Sequence, residues 1–180
     1  KLQLNILAID YRGYGKSSGE PSEVGLYKDG VSAYDYLVET RGIKPQTIVL
    51  YGKSLGGGPA TELATTKMCG GLILQSSFTS IGDMAATILP LIPMGLLLKT
   101  KFDTNRKLFH CTVPVLVLHS EDDELIPVWM AKKNGQTAPK AKTKLFVGAD
   151  HNGLISTKSN LLLNEIASFI ATTAYKLELS

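Results

Sequence analysis

Cysteine is scarce in this sequence: Cys69 and Cys111 are the only two in 180 residues. That rules out a disulfide scaffold. With no Cys-x-x-Cys and no neighbouring histidine pair, it also argues against a metal site. Both thiols are expected to be reduced and buried. Charge is thin as well. Charged residues make up 19% and the net charge is +3, with the lysines dispersed. No basic block exists to hold a phosphate backbone, so no nucleic-acid partner is expected. Long apolar runs are missing too. The longest, ILPLIPMGLLL over 88–98, is interrupted by Pro90, Pro93 and Gly95. It falls short of the roughly 18–20 residues of a membrane span. No signal-peptide pattern, internal repeat or low-complexity tract is legible.

What is present is a 44% hydrophobic composition, sufficient for a single domain with its own core over 1–180. The chain opens on Lys1 and runs at once into strand-like residues. It therefore reads as a sequence whose N-terminal part lies upstream.

Short apolar runs alternate with amphipathic stretches. LNILAIDY (4–11), TIVLYG (47–52), GLILQSS (71–77), PVLVLHS (114–120) and TKLFVGA (143–149) read as strands. Being apolar throughout, they fit a parallel sheet covered on both faces. Helical spacing appears over 23–40, 59–66 and 160–175, with a small cap or insertion expected over about 81–109. This is an α/β pattern, in which sites gather at the carboxyl ends of the strands. Ser54 follows the second strand, Asp122 and Asp123 follow the fourth, and His151 follows the fifth.

Gly52-Lys53-Ser54-Leu55-Gly56 matches G-x-S-x-G, and glycine is frequent enough here that the match alone is weak. Its context, a strand before and a helix after, is that of a nucleophile elbow. There Gly52 and Gly56 leave room for a sharp turn, and the Leu55 N–H faces a developing oxyanion. The competing reading is a glycine-rich turn with Ser54 as a helix cap. A serine nucleophile needs a base, and the base needs an acid. Of three histidines, His110 precedes a strand, His119 sits before a turn that it is expected to shape, and His151 follows a strand. His151 is the expected base. Glu121, Asp122, Asp123 and Glu124 all lie where the acid should be. Such a run repels itself, so most of it should be solvated, and spacing alone does not choose among the four.

DYRGYGKSSGEPSE (10–23), YGKSLGGGPA (51–60), SSFTSIGDM (76–84), PVLVLHSEDDELIP (114–127) and GADHN (148–152), in that order, resemble the serine α/β-hydrolases and, within them, the BEM46-like subgroup. The resemblance runs from about Leu4 to Ile170. It implies a triad of Ser54, Asp123 and His151, with Asp122 as the fallback acid, and an acyl-enzyme mechanism without metal or cofactor. Ser120 stands where the family carries glycine, and Lys53 where relatives carry His, Arg or Gln. The resemblance also implies that 4–11 is the family's fourth strand, so that its first three strands and the loop giving a second oxyanion donor lie outside this sequence. Strands 4–11 and 47–52 would then either pair directly or leave a gap. In the loop after 4–11, Gly13 and Gly15 read as turn residues and Arg12 as a loop-fixing donor. Expected substrates are carboxylic esters or thioesters, small or lipidated. Membrane contact is expected through the apolar 88–98 segment or an upstream segment. Alternatives are a non-catalytic hydrolase-like binding protein and a serine peptidase of the prolyl-oligopeptidase type.

Overall fold

The computed structural model describes residues 2–88 and 100–174. Its centre is a parallel sheet in the order β1 (Val49–Lys53), β2 (Gly71–Gln75), β3 (Val115–Ser120) and β4 (Ala141–Phe146). Sequence neighbours are spatial neighbours, with Gly52 opposite Leu74, Leu74 opposite Val117 and His119 opposite Leu145. β2 and β3 are buried along their whole length, as two-sided coverage of a parallel sheet requires.

Helices cover both faces. α1 (Glu23–Asp35) begins at Ser22, whose hydroxyl accepts the Gly25 N–H, and runs into one π turn at Tyr36–Thr40. α2 (Gly57–Thr66) follows a 3-10 turn at Ser54–Gly56. α3 (Ile81–Ile88) and α4 (Thr104–Leu108) flank residues 89–99, so that the apolar 88–98 segment, past its first residue at the end of α3, lies outside the described residues. α5 (Val128–Thr137) links β3 to β4, and α6 (Leu154–Thr157) and α7 (Ser159–Ala174) close the chain.

Alternation along the strands divides the core. Leu72, Leu74, Val115 and Val117 face a layer holding Ala60, Ala64, Leu108 and both cysteines. Ile73, Leu116 and Leu118 face Phe146, Leu154, Leu162, Ile166 and Phe169. Each fully buried leucine contributes about 1.5–3 kcal/mol by leaving water.

The strand expected at 4–11 is not in the sheet. Residues 2–10 form no ladder, β1 is an edge strand, and Ile6 is 83% exposed. A strand needs a neighbour to take its backbone N–H and C=O groups, and among the described residues this segment has none. Direct pairing with β1 does not form. The loop that follows is built as expected. Gly13 and Gly15 take positive φ, and the Arg12 guanidinium donates to both oxygens of Asp29. Among the described residues no helix is long and apolar enough to cross a membrane, and no cluster of His, Cys, Asp and Glu could hold a metal ion. Both cysteines are free and buried.

Candidate active site

The site lies at the carboxyl ends of β1, β3 and β4. β1 stops at Lys53 and the chain turns sharply at Ser54, whose φ of 51° is left-handed. A serine in that region costs about 1–3 kcal/mol, so the surroundings must impose it. They do so by crowding. A Cβ on Gly52 would lie 2.5 Å from the Gly56 carbonyl oxygen and 2.6 Å from Gly57 Cα. A Cβ on Gly57 would run into the Ser77 hydroxyl. That hydroxyl instead donates to the Ser54 carbonyl at 3.1 Å and pins the turn from the end of β2. Ser54–Gly56 then leads straight into α2. This puts the Leu55 N–H among the first donors of a helical run, which lack intrahelical partners.

β4 delivers His151 after a turn through Gly148, and β3 delivers Asp123. Both are buried, at 5% and 8% exposure. His151 Nε2 lies 3.1 Å from Ser54 Oγ, and His151 Nδ1 lies 2.9 and 3.1 Å from the two oxygens of Asp123. A carboxylate can only accept, so Nδ1 carries the proton and Nε2 is bare toward the serine hydroxyl. An imidazole held this way can take the hydroxyl proton as the oxygen attacks an electrophile. Asp123 is itself fixed, because its Oδ1 accepts the N–H groups of Leu125 at 3.0 Å and Ile126 at 2.8 Å.

Spacing left the acid open among four carboxylates, and the resemblance pointed to Asp123 with Asp122 as the fallback. In the structure the imidazole faces Asp123. Asp122 turns the other way and accepts the Gly148 N–H at 2.6 Å, while Glu124 accepts the His151 backbone N–H at 2.9 Å. As expected, most of this run is solvated: Glu121, Asp122 and Glu124 are exposed and Asp123 is buried, but Asp122 and Glu124 also accept backbone N–H groups of the histidine turn. Nothing in residue spacing announced this, because the acceptors serve backbone groups of another loop.

His119 shapes its turn as expected. Its Nε2–H donates to the Ile126 carbonyl at 2.8 Å. Its Nδ1 is buried without a partner. Burial pushes its pKa below the ordinary 6.5, against the opposing pull of the Ile126 carbonyl and Asp123. It is therefore neutral, and its 3.6 Å approach to Asp123 is not an ion pair. His110 is exposed ahead of β3. Lys53 reaches across the turn and donates to Asn152 Oδ1 at 2.9 Å, joining the residue before the serine to the residue after the histidine.

No family model matches the chain. Uncharacterized protein Rv2307c of Mycobacterium tuberculosis is 32% identical over 174 residues, covering 96% of this chain and 62% of that protein. Uncharacterized protein YfhR of Salmonella typhimurium is 33% identical over 186 residues, covering 94% and 62%. The chain thus spans about 62% of the length of these curated relatives. Among solved structures, Est1E from Butyrivibrio proteoclasticus superposes with a TM-score of 0.76 at 19% identity, covering 92% of this chain and 76% of that one. The esterase RhEst1 from Rhodococcus sp. ECU1013 gives 0.66 at 20%, covering 91% and 79%. An alpha-beta hydrolase from Vibrio vulnificus gives 0.68 at 26%, covering 86% and 61%. The parallel sheet between helices and these superpositions identify an α/β-hydrolase fold.

Proposed function

We propose that the protein is a serine hydrolase that cleaves carboxylic esters or thioesters through an acyl-enzyme. The observation that carries this reading is the continuous chain of contacts Ser54 Oγ, His151 Nε2, His151 Nδ1, Asp123. Ser54 attacks the carbonyl carbon while His151 takes its proton. Asp123 holds the tautomer and stabilises the imidazolium. The carbonyl oxygen gathers negative charge opposite the Leu55 N–H. Collapse of the tetrahedral intermediate breaks the bond to the leaving group, and His151 returns the proton to that group. Water, deprotonated by the same imidazole, then attacks the acyl carbon, and the imidazolium returns that proton to Ser54 Oγ as the acid leaves and the serine is freed. No step needs a metal or cofactor.

The backbone strain at Ser54 supports a catalytic reading over a plain glycine-rich turn, since a helix cap does not require a left-handed serine. Esterase and hydrolase neighbours of the same fold support the reaction class. Within it, the sequence motifs favour a BEM46-like enzyme. The apolar composition of 88–98 favours medium to long acyl chains over acetate, whether on a small ester or a lipidated peptide. The test is hydrolysis of p-nitrophenyl esters of increasing chain length. Rates should rise beyond acetate and vanish in Ser54→Ala. A flat profile would refute the acyl-chain preference, and undiminished turnover by the variant would refute the mechanism.

A further inference from the structure

His151 is gripped twice by neighbouring residues of one loop. Asp123 takes its ring Nδ1–H at 2.9 Å and Glu124 takes its backbone N–H at 2.9 Å. The ring contact alone leaves the imidazole free to swing with its Cα. The second contact fixes the Cα end, so the two together set where Nε2 meets the serine. Glu124 is exposed, and a carboxylate accepting a backbone N–H makes a charge-assisted bond stronger than a neutral one. The rest of the turn is held by other groups. Asp122 takes the Gly148 N–H at 2.6 Å, Ser120 Oγ donates to the Ala149 carbonyl at 2.5 Å, and Lys53 reaches Asn152. Loss of Glu124 therefore releases His151 and leaves the turn docked.

We propose that Glu124 is a positioning residue: it acts through the His151 backbone to hold the imidazole in line between Asp123 and Ser54. This rests on the serine-hydrolase reading for its kinetic consequence, though not for its geometric one. A misplacement approaching 1 Å costs on the order of 10²-fold in rate, so a partial release is worth roughly 10-fold or more.

The experiment compares wild type, Glu124→Ala and Glu124→Gln in the full chain by two readouts. The first is kcat and KM on a p-nitrophenyl ester. Alanine should lower kcat roughly 10- to 100-fold with KM and melting temperature unchanged, and glutamine, whose amide oxygen accepts the same N–H, should restore it. The second readout needs no activity: the imidazole Nδ1–H proton resonance of His151. It should be sharp and far downfield in wild type and Glu124→Gln, and broadened or lost in Glu124→Ala. An alanine variant with wild-type kcat and an unaltered resonance overturns the proposal while leaving the triad intact. A fall in kcat that glutamine does not rescue, matched by lost melting temperature, overturns it in favour of a general structural role. If no variant hydrolyses any ester, the serine-hydrolase reading fails, and the resonance still decides for or against Glu124.

Discussion

Gly52→Ala is the smallest change that should disable the site without touching a reacting atom. The added methyl would sit 2.5 Å from the Gly56 oxygen and 2.6 Å from Gly57 Cα. Ordinary contact starts at 3.4 Å, so the deficit is 3.4 minus 2.5, or about 0.9 Å. Both obstacles are backbone, and no rotamer relieves them. Either β1 or the start of α2 must move, and Ser54 lies between the two. Overpacking of this kind costs about 1–3 kcal/mol, and the rigid partners put it at the upper end. For a chain of this size that lowers the melting temperature by roughly 6–12 °C. A shift approaching 1 Å also lengthens the 3.1 Å contact from Ser54 Oγ to His151 Nε2 and should cost about 10²-fold in kcat/KM. Gly30→Ala is the internal control. It lies within α1 with nothing inside 4 Å of its Cβ position, and should gain about 0.5–1 kcal/mol from helix propensity. Thermal melts and ester hydrolysis on both variants decide the matter. A Gly52→Ala protein as stable and active as wild type would refute the crowded-elbow argument.

Asp123→Asn should lower kcat by about 10⁴-fold by favouring the wrong tautomer, while Asp122→Asn, whose carboxylate accepts the Gly148 N–H rather than the imidazole N–H, should stay within about 10-fold. Steady-state kinetics separate the two. His119 is held neutral by burial, whereas in the unfolded chain it takes a proton near the ordinary 6.5. Its contribution to stability is therefore fully present above pH 6.5 and lost progressively as pH falls below it. Melting temperatures measured across that window should fall on acidification, and less steeply in His119→Asn. Burial pushes the Cys69 thiol up to about 11 and raises Cys111 as well. Neither should react with a disulfide reagent at neutral pH in the native protein, and both should react once it is unfolded.

Four of the five strands were legible because an apolar run long enough for a strand has few other uses in a chain this polar elsewhere. The exception, 4–11, shows the limit of that logic. Composition reports that a segment suits burial, but a strand exists only where a neighbour completes its ladder, and the partner is not written in the segment. β4 was displaced for a related reason. It is an edge strand with three exposed residues in succession, Lys142, Thr143 and Lys144, so its start carries no apolar signature. At the site, Ser54, His151 and the acidic run could be located from chain order because the fold collects strand ends at one rim. Spacing could not single out the carboxylate that faces the imidazole, and only the resemblance pointed to Asp123: after β3, Asp123 meets the His151 ring, while Asp122 and Glu124 meet backbone N–H groups of the 148–151 turn.

The most direct test of the central claim is intact-mass analysis of the full chain after exposure to a fluorophosphonate, which phosphonylates an activated serine. A single adduct is expected on wild type, absent from Ser54→Ala and strongly slowed in His151→Ala. An adduct retained by Ser54→Ala would place the nucleophile elsewhere. A wild-type chain that takes no label would show that the contacts among Ser54, His151 and Asp123 do not activate the serine.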